Sequence, residues 1–404
     1  MLTRRKWTKI VAGAGLASCS QPEKSNLTDE YMSLPSSKDI LDRSIVLDFH
    51  CDTPIRLVEE KLDLSKLHTT GELDIPRMRQ GGITGVFFSI YTGATNKTPL
   101  EAVKKALEII DVVIEEVHRH PKDLILATSS GEIADAKQAG KIAILMGVEG
   151  GHMIDSSLSV LRNFHRLGVR YLTLTHSAST GWADSSGGLN GLTDFGKDVV
   201  IEMNRLGMMV DISHVSDKTF FDTIQTSKTP IIASHSSCRA LASHNRNMTD
   251  EMLQALAVNG GVVHINYYNA FLDDEYTHRA STLADLDRKY VEIRNRFRDN
   301  KKRLALETHQ INHARVKRIG RVPFSRLLDH FEHATEVAGI DHVGMGSDFD
   351  GVQGQLPEGM EDISKIGNLV AGLSERGFSD DDLRKILGGN SLRVMHQVET
   401  YRHT

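Results

Sequence analysis

His50 and Asp52 stand at the end of the apolar run that begins at Leu47, an imidazole and a carboxylate two positions apart. On an extended strand such residues face the same side, so the pair would offer one nitrogen and one oxygen to a single point. With 19 His and 53 acidic residues in 404, roughly two or three His-x-acid pairs arise by chance. His330-Phe331-Glu332 is one of these, set in a helical pattern where alternate residues diverge. What separates the first pair is its company, because later apolar runs close on Glu149, His176, His214, His235 and Asp348. A lone His at a strand end is usually a satisfied core group; four His and three acids at six of eight strand ends form a constellation. Imidazole and carboxylate together suit borderline divalent ions, zinc first among them. Divided between two ions, His50 and Asp52 hold one, His214 and His235 hold the other, and Glu149 bridges. Two dications against two carboxylates and a metal-bridged hydroxide leave the site at about +1, which favours an anionic tetrahedral intermediate and lowers the pKa of water. Asp348 is then free to take the proton of that water as general base and return it to a leaving amine.

The elements that must position these groups alternate along the chain. Apolar strands are predicted at 45–50, 83–91, 142–149, 170–176, 208–214, 230–235, 262–267 and 342–348. Helical periodicity falls between them at 100–118, 132–138, 158–167, 195–206, 220–226 and 251–258. Strands that are apolar throughout, joined by helices, imply a parallel sheet covered on both faces. Eight such units predict an α/β fold, a (β/α)8 TIM-type barrel, whose reactive groups gather at the C-terminal strand ends. A doubly wound open sheet is the alternative, but no Gly-x-Gly-x-x-Gly turn follows the first strand. One long charged segment, about 272–322, interrupts the rhythm between strands seven and eight and reads as a solvated helical insertion. Its His309 and His313, four apart, are expected to be exposed rather than metal-binding.

A net charge of −5 gives no electrostatic footprint for nucleic acid, and three cysteines exclude a disulfide scaffold. A Cys51 to Cys238 bridge is left open. The N-terminus carries Arg4, Arg5 and Lys6, then a short apolar run ending in Leu16-Ala17-Ser18-Cys19. That run is too short to span a bilayer and reads as a signal segment. Its end resembles a bacterial lipobox, with Cys19 as the lipidated residue, and the arginine pair resembles a twin-arginine export signal. The expected organisation is a signal peptide over 1–19, a flexible tether over 20–39 and one barrel domain over 40–404. The expected location is the bacterial envelope, lipid-anchored and facing the periplasm.

His50-x-Asp52, Gly147-Val148-Glu149-Gly150-Gly151-His152, Thr173-Leu174-Thr175-His176, Asp211-Ile212-Ser213-His214, Ser234-His235-Ser236-Ser237 and Gly346-Ser347-Asp348-Phe349-Asp350-Gly351 occur in this order. Together they resemble the membrane (renal) dipeptidase family of the amidohydrolase superfamily, over about 44–398. The resemblance implies zinc-dependent hydrolysis of small dipeptides, two Zn2+ per chain, His50 and Asp52 on the first ion, His214 and His235 on the second, and Glu149 between. It implies that His176 stabilises the oxyanion or polarises the scissile carbonyl and that Asp348 moves the proton. It also places Arg246 where the family has the arginine that pairs with the substrate's C-terminal carboxylate. A guanidinium fork on that carboxylate at a fixed distance from the metals would act as a ruler for dipeptides. Phe271 stands where family members often carry a Tyr, with Tyr267 and Tyr268 close by, and His152 reads as structural. Two alternatives stay open. One is another binuclear amidohydrolase (a deacylase, lactonase or β-lactam hydrolase), although such relatives usually carry His-x-His and a lysine bridge. The other is a lipoprotein that binds peptides without cleaving them. A homodimer is also left open.

Overall fold

The computed structural model describes residues 36–93 and 98–401. The leader, Cys19 and the tether as far as residue 35 lie outside the described residues. Ser36 already belongs to structure: its hydroxyl and the Asp39 carboxylate form a reciprocal cap on a helix at Ser37–Arg43.

Nine strands follow: β1 (Leu47–Cys51), β2 (Gly85–Tyr91), β3 (Leu124–Leu126), β4 (Ile142–Glu149), β5 (Val169–Thr173), β6 (Met209–Asp211), β7 (Ile232–Ala233), β8 (Val262–Ile265) and β9 (Val343–Met345). Eight of them close a parallel barrel in chain order, β1 to β2 to β4 and on to β9, which pairs back with β1. The expected TIM-type architecture is therefore present. The ninth, β3, was not anticipated. It pairs with the first half of β4, Leu124 opposite Ile142, before β5 takes over that strand from Met146 onward. Three residues give no period from which to read it.

The strands read as apolar throughout because both faces are covered. Leu47, Phe49, Phe87, Leu145 and Tyr171 fill the barrel interior, and the last helix, Asn390–Tyr401, inserts Val394, Met395 and Val398 among them. The opposite faces, with Val86, Phe88, Ile144 and Met146, pack against the surrounding helices. His264 shows what a satisfied core histidine looks like. It stacks on Phe49 at 4.0 Å, its Nδ1 lies 2.8 Å from the Ala233 carbonyl and its Nε2 2.9 Å from the Ser391 hydroxyl. Burial holds its pKa down at about 3.

The charged insertion folds as helices Asp274–Ser281, Ala284–Arg296 and Lys301–Ile319. It is more than a solvated excursion. Leu283, Leu286, Ile293 and Ile311 make a small core of their own. The Tyr290 hydroxyl accepts from Gln353 Nε2 at 3.2 Å and Gln353 Oε1 accepts from Asn312 at 3.0 Å, so two insertion helices are tied to the loop after β9. His309 and His313 are exposed, as expected. Among the described residues, no helix is long and apolar enough to cross a membrane.

Candidate active site

β1 does not present His50 by simple alternation. Asp48 pairs with Val86 and Cys51 with Phe88, three positions of β1 against two of β2, a bulge that re-aims the side chains between them. Phe49 stays in the core while the His50 ring stacks on His235 at 3.8 Å, at the barrel's C-terminal mouth. Gly147 helps to fix that ring. A Cβ there would lie 1.9 Å from the Tyr171 ring, so only glycine lets Tyr171 pass across β4. The Tyr171 hydroxyl then meets His50 Nδ1 at 2.9 Å, leaving Nε2 aimed into the mouth. Asp52 lies beyond the strand as the N-cap residue of the helix Thr53–Glu60, with φ −91° and ψ 15°. The two-residue strand spacing expected for this pair is thus replaced by a bulge and a helix start, yet Asp52 Oδ2 still comes within 3.6 Å of His50 Nε2.

Glu149, the last residue of β4, is the centre. Its Oε1 lies 3.0 Å from His214 Nε2, 3.4 Å from His235 Nε2 and 3.6 Å from His176 Nε2, and its Oε2 lies 3.6 Å from His50 Nε2. The Ser89 hydroxyl donates to Oε2 at 2.9 Å. Despite complete burial, the surrounding imidazoles of His50 and His176 hold the Glu149 carboxyl well below the usual range. Sequence reading also ended four strands at residues that the structure puts two or three positions further, in loops. His176, His214, His235 and Asp348 follow β5, β6, β7 and β9. Beneath those loops Asp211 accepts from the Thr173 hydroxyl at 2.5 Å, the Ser213 N–H at 3.0 Å and the Ser234 N–H at 2.8 Å, pinning three strand ends together. His214 and Asp348 are left-handed, with φ 67° and 66°. For non-glycine residues such backbone costs on the order of 1 kcal/mol and persists where the surroundings dictate it, characteristically at sites.

The donor set fits divalent metal. His50 Nε2 and Asp52 Oδ1 are buried without a hydrogen-bond partner among the described residues, which is costly unless an ion takes them. His214 Nε2 and His235 Nε2 face one another at 2.9 Å. Burial keeps both of these imidazoles well below the ordinary pKa, so a cation other than a proton suits the space between their lone pairs. Ligand atoms cluster within 4.8 Å in three overlapping groups: His50, Glu149 and His235; Glu149, His176 and His214; His50, Asp52 and Asp348. All seven residues read from the strand ends therefore converge. Distance alone admits His176 and Asp348 as ligands too. Asp63, Glu116 and His120 form a further group away from this mouth, but Lys66 and Arg119 already neutralise its carboxylates.

Asp348 is held by Asn266, whose Nδ2 donates to Oδ2 at 2.9 Å. Burial, reinforced by Asp52 and Glu149, holds its carboxyl well above the usual range. Gly351 makes room for it: a Cβ there would lie 2.1 Å from Asp52 Oδ2 and 2.2 Å from Asp348 Oδ1. Across the mouth Arg246 is 8% exposed, donating to the His235 carbonyl at 3.1 Å and lying over the Phe271 ring at 5.4 Å. Its Nε has no hydrogen-bond partner among the described residues, and burial pulls its pKa down to about 10. The Phe271 departure thus becomes a platform under the guanidinium. Tyr268 lines the cavity, whereas Tyr267 is packed beneath it against Phe349. The cavity holds about 950 Å3, and the insertion helices form one wall of it.

Cys51 and Cys238 are both free and buried, so the bridge left open does not form. His152 Nε2 lies 2.8 Å from the Thr92 carbonyl, in keeping with a structural part. Sequence reading missed Tyr171, Ser89, Asp211, Asn266 and Tyr91. Ser89 and Tyr91 carried a signal, since they share the face of Phe87 along β2 toward the mouth; Asn266 sits one residue past β8.

An eight-stranded parallel barrel with imidazoles and carboxylates converging at its C-terminal mouth is the frame of a metal-dependent hydrolase. The chain belongs to the membrane dipeptidase family, peptidase family M19, whose profile matches residues 35–404. It is 36% identical to the uncharacterized dipeptidase C965.12 of Schizosaccharomyces pombe over 385 residues, covering 90% of this chain and 82% of that one. In structure it is similar to the probable dipeptidase PvdM from Pseudomonas aeruginosa, with TM-score 0.76 and 25% identity over 90% of this chain and 98% of that one. It is also similar to a metallo peptidase from Rhodobacter sphaeroides liganded with a phosphinate mimic of the dipeptide L-Ala-D-Ala, with TM-score 0.73 and 26% identity over 88% and 99% of the two chains. The protein is a metallo-dipeptidase of this family.

Proposed function

We propose that the chain hydrolyses the single peptide bond of free dipeptides with two zinc ions, one held by His50 and Asp52, the other by His214 and His235, with Glu149 between them. When bound, such ions lower the pKa of water toward neutrality and polarise the scissile carbonyl. Asp348, with its raised pKa and its Oδ1 beside the Gly351 gap, takes the proton from the attacking water and passes it to the leaving amine. His176, partly exposed at the mouth, donates a hydrogen bond to the oxygen on which charge develops. Arg246 receives the C-terminal carboxylate.

The observation that carries this reading is Arg246, a buried guanidinium in ion-pair contact with no carboxylate among the described residues, with Asp348, Glu149 and Asp211 acting on it only from further off. A buried cation without a contacting anion is costly, and a ligand carboxylate would supply that contact. The Rhodobacter sphaeroides relative, liganded with a dipeptide mimic, supports the choice of substrate. The test is turnover of L,L and L,D dipeptides by the zinc-loaded protein, alongside the same dipeptides with their carboxylate amidated. Cleavage of the free acids and at least about a hundredfold lower kcat/KM for the amides is expected. Two bound metals with no dipeptide cleaved would return the site to another amide or ester.

The leader carries a separate proposal: Cys19, at the end of Leu16-Ala17-Ser18, is lipidated and anchors the barrel to the envelope. The precursor made in a bacterial host should sediment with membranes and Cys19→Ala should release it. Equal sedimentation of the two sinks the idea.

A further inference from the structure

The cavity wall contains more charge than the chemistry uses, and nearly all of it is spoken for. Arg56 pairs with Asp350 at 3.2 Å and Glu60 at 2.9 Å, Lys301 with Glu59 at 3.3 Å, Lys105 with Glu108 at 3.2 Å, and Arg315 with Asp287. Among the described residues, two arginines that line the cavity have no carboxylate partner, Arg246 and Arg294. The first already has an assignment.

Arg294 lies on the insertion helix Ala284–Arg296, its guanidinium 5.7 Å from the centroid of the Tyr290 ring. That ring is fixed in turn through Gln353 to the buried Asn312, so the platform under Arg294 is rigid. On the other side stands Tyr91, the last residue of β2, whose ring is 4.4 Å from that of His176. Tyr91 and Arg294 line the same cavity, and the Lys301–Glu59 pair at 3.3 Å ties the next insertion helix to the helix that follows β1, next to β2.

Barrel order fixes which end of a substrate meets this arginine. In the ring of eight, β2 is the second strand and β7 the sixth, on opposite sides of the mouth. Arg246 follows β7 and grips the His235 carbonyl; Tyr91 and Arg294 mark the β2 side; the metal-ligand cluster lies between. A dipeptide anchored by its C-terminal carboxylate at Arg246, with its peptide bond over the cluster, therefore extends its first residue toward Arg294.

We propose that Arg294 is a second anion subsite, and that the preferred substrates are dipeptides whose first residue has a carboxylate side chain, aspartyl or glutamyl. The proposal rests on the dipeptidase reading above. Tyr91 supplies the adjoining hydroxyl and one aromatic wall, and the flexible guanidinium fork accommodates either side-chain length.

The experiment compares kcat/KM for Glu-Ala, Asp-Ala, Ala-Ala and Lys-Ala with the zinc-loaded full-length protein, its Arg294→Ala and Arg294→Glu variants, and the Arg294→Lys variant as the conservative control. Wild type should favour Glu-Ala over Ala-Ala by about fivefold, a modest ratio because the subsite is open to solvent. Arg294→Ala should erase that ratio, Arg294→Lys should keep part of it, and Arg294→Glu should shift preference to Lys-Ala. Turnover of Ala-Ala with no acidic preference, or a ratio indifferent to residue 294, overturns the subsite and leaves the dipeptidase reading standing. Failure to cleave any dipeptide overturns both.

Discussion

Asp348→Asn is expected to lower kcat by about a thousandfold while the zinc content stays at that of wild type. The substitution preserves shape and the position beside Asn266, but an amide oxygen cannot accept and return a proton at neutral pH. In the metal-free protein burial and the neighbouring Asp52 and Glu149 hold the Asp348 carboxyl well above the usual range. The two roles open to it are separable. Asp348 also falls in the ligand group with His50 and Asp52, so a metal-ligand role would show as zinc lost together with activity. Elemental analysis beside steady-state kinetics decides: retained zinc and a lost kcat assign the proton transfer, while zinc falling in proportion to rate makes Asp348 a ligand.

Glu149→Gln should remove both the metals and the activity. Its carboxylate is the one anion within 3.6 Å of His50, His176, His214 and His235 together. Replacing it with a neutral amide leaves four imidazoles with no charge between them. Loss of outer-shell partners alone weakens metal binding about 10- to 100-fold, so removal of a bridging ligand should exceed that range. The pH dependence carries a second signature. Burial opposes the charged His50 ring, but Tyr171, Glu149 and Asp52 outweigh it and hold the imidazole well above its ordinary pKa. In the metal-free protein His50 therefore keeps its proton to higher pH than a free imidazole, and an entering ion must displace that proton. Binding that releases protons weakens as pH falls and strengthens as pH rises toward the raised His50 pKa. Without Glu149 the His50 pKa drops and the slope near neutrality should flatten. Zinc titration by calorimetry from pH 6 to 8.5, in two buffers of different ionisation heat, reads both effects. Wild-type zinc affinity in Glu149→Gln would sink the bridging role.

The barrel and its seven convergent residues were legible because both are written locally. Apolar runs give strands, and a His or acid after six of the eight runs shows in the sequence whether it ends the strand or begins the loop. The distinction mattered for geometry. His214 and Asp348 reach the centre from left-handed loop positions, and His50 by a bulge, and none of these leaves a periodic trace. What could not be read depends on distant neighbours. Tyr171 touches His50 only because Gly147 is on a strand between them in space, and Arg294 reaches the cavity wall on a helix whose Tyr290 is hydrogen-bonded from beyond β9 by Gln353. The insertion's charges looked like a solvated surface for the same reason. About half of its basic side chains form ion pairs, Arg303 with Glu307 and Arg318 with Asp285 among them, and composition does not reveal that Arg294 is the unpaired one at the cavity wall.

The ring has no seam that closes early. β1 finds its second neighbour in β9, and the Ser347 N–H meets the Asp48 carboxylate across 299 positions of chain. The interior is then plugged by the final helix. A growing polypeptide that lacks its last sixty or so residues has β1 with an open edge, His50 without Asp348, and a hollow lined by Leu47, Phe49 and Phe87. Contacts so remote in sequence form late and slowly, and until they form the inner faces are open to other chains. The mouth thus gains its last member, Asp348, only with the strand that closes the ring.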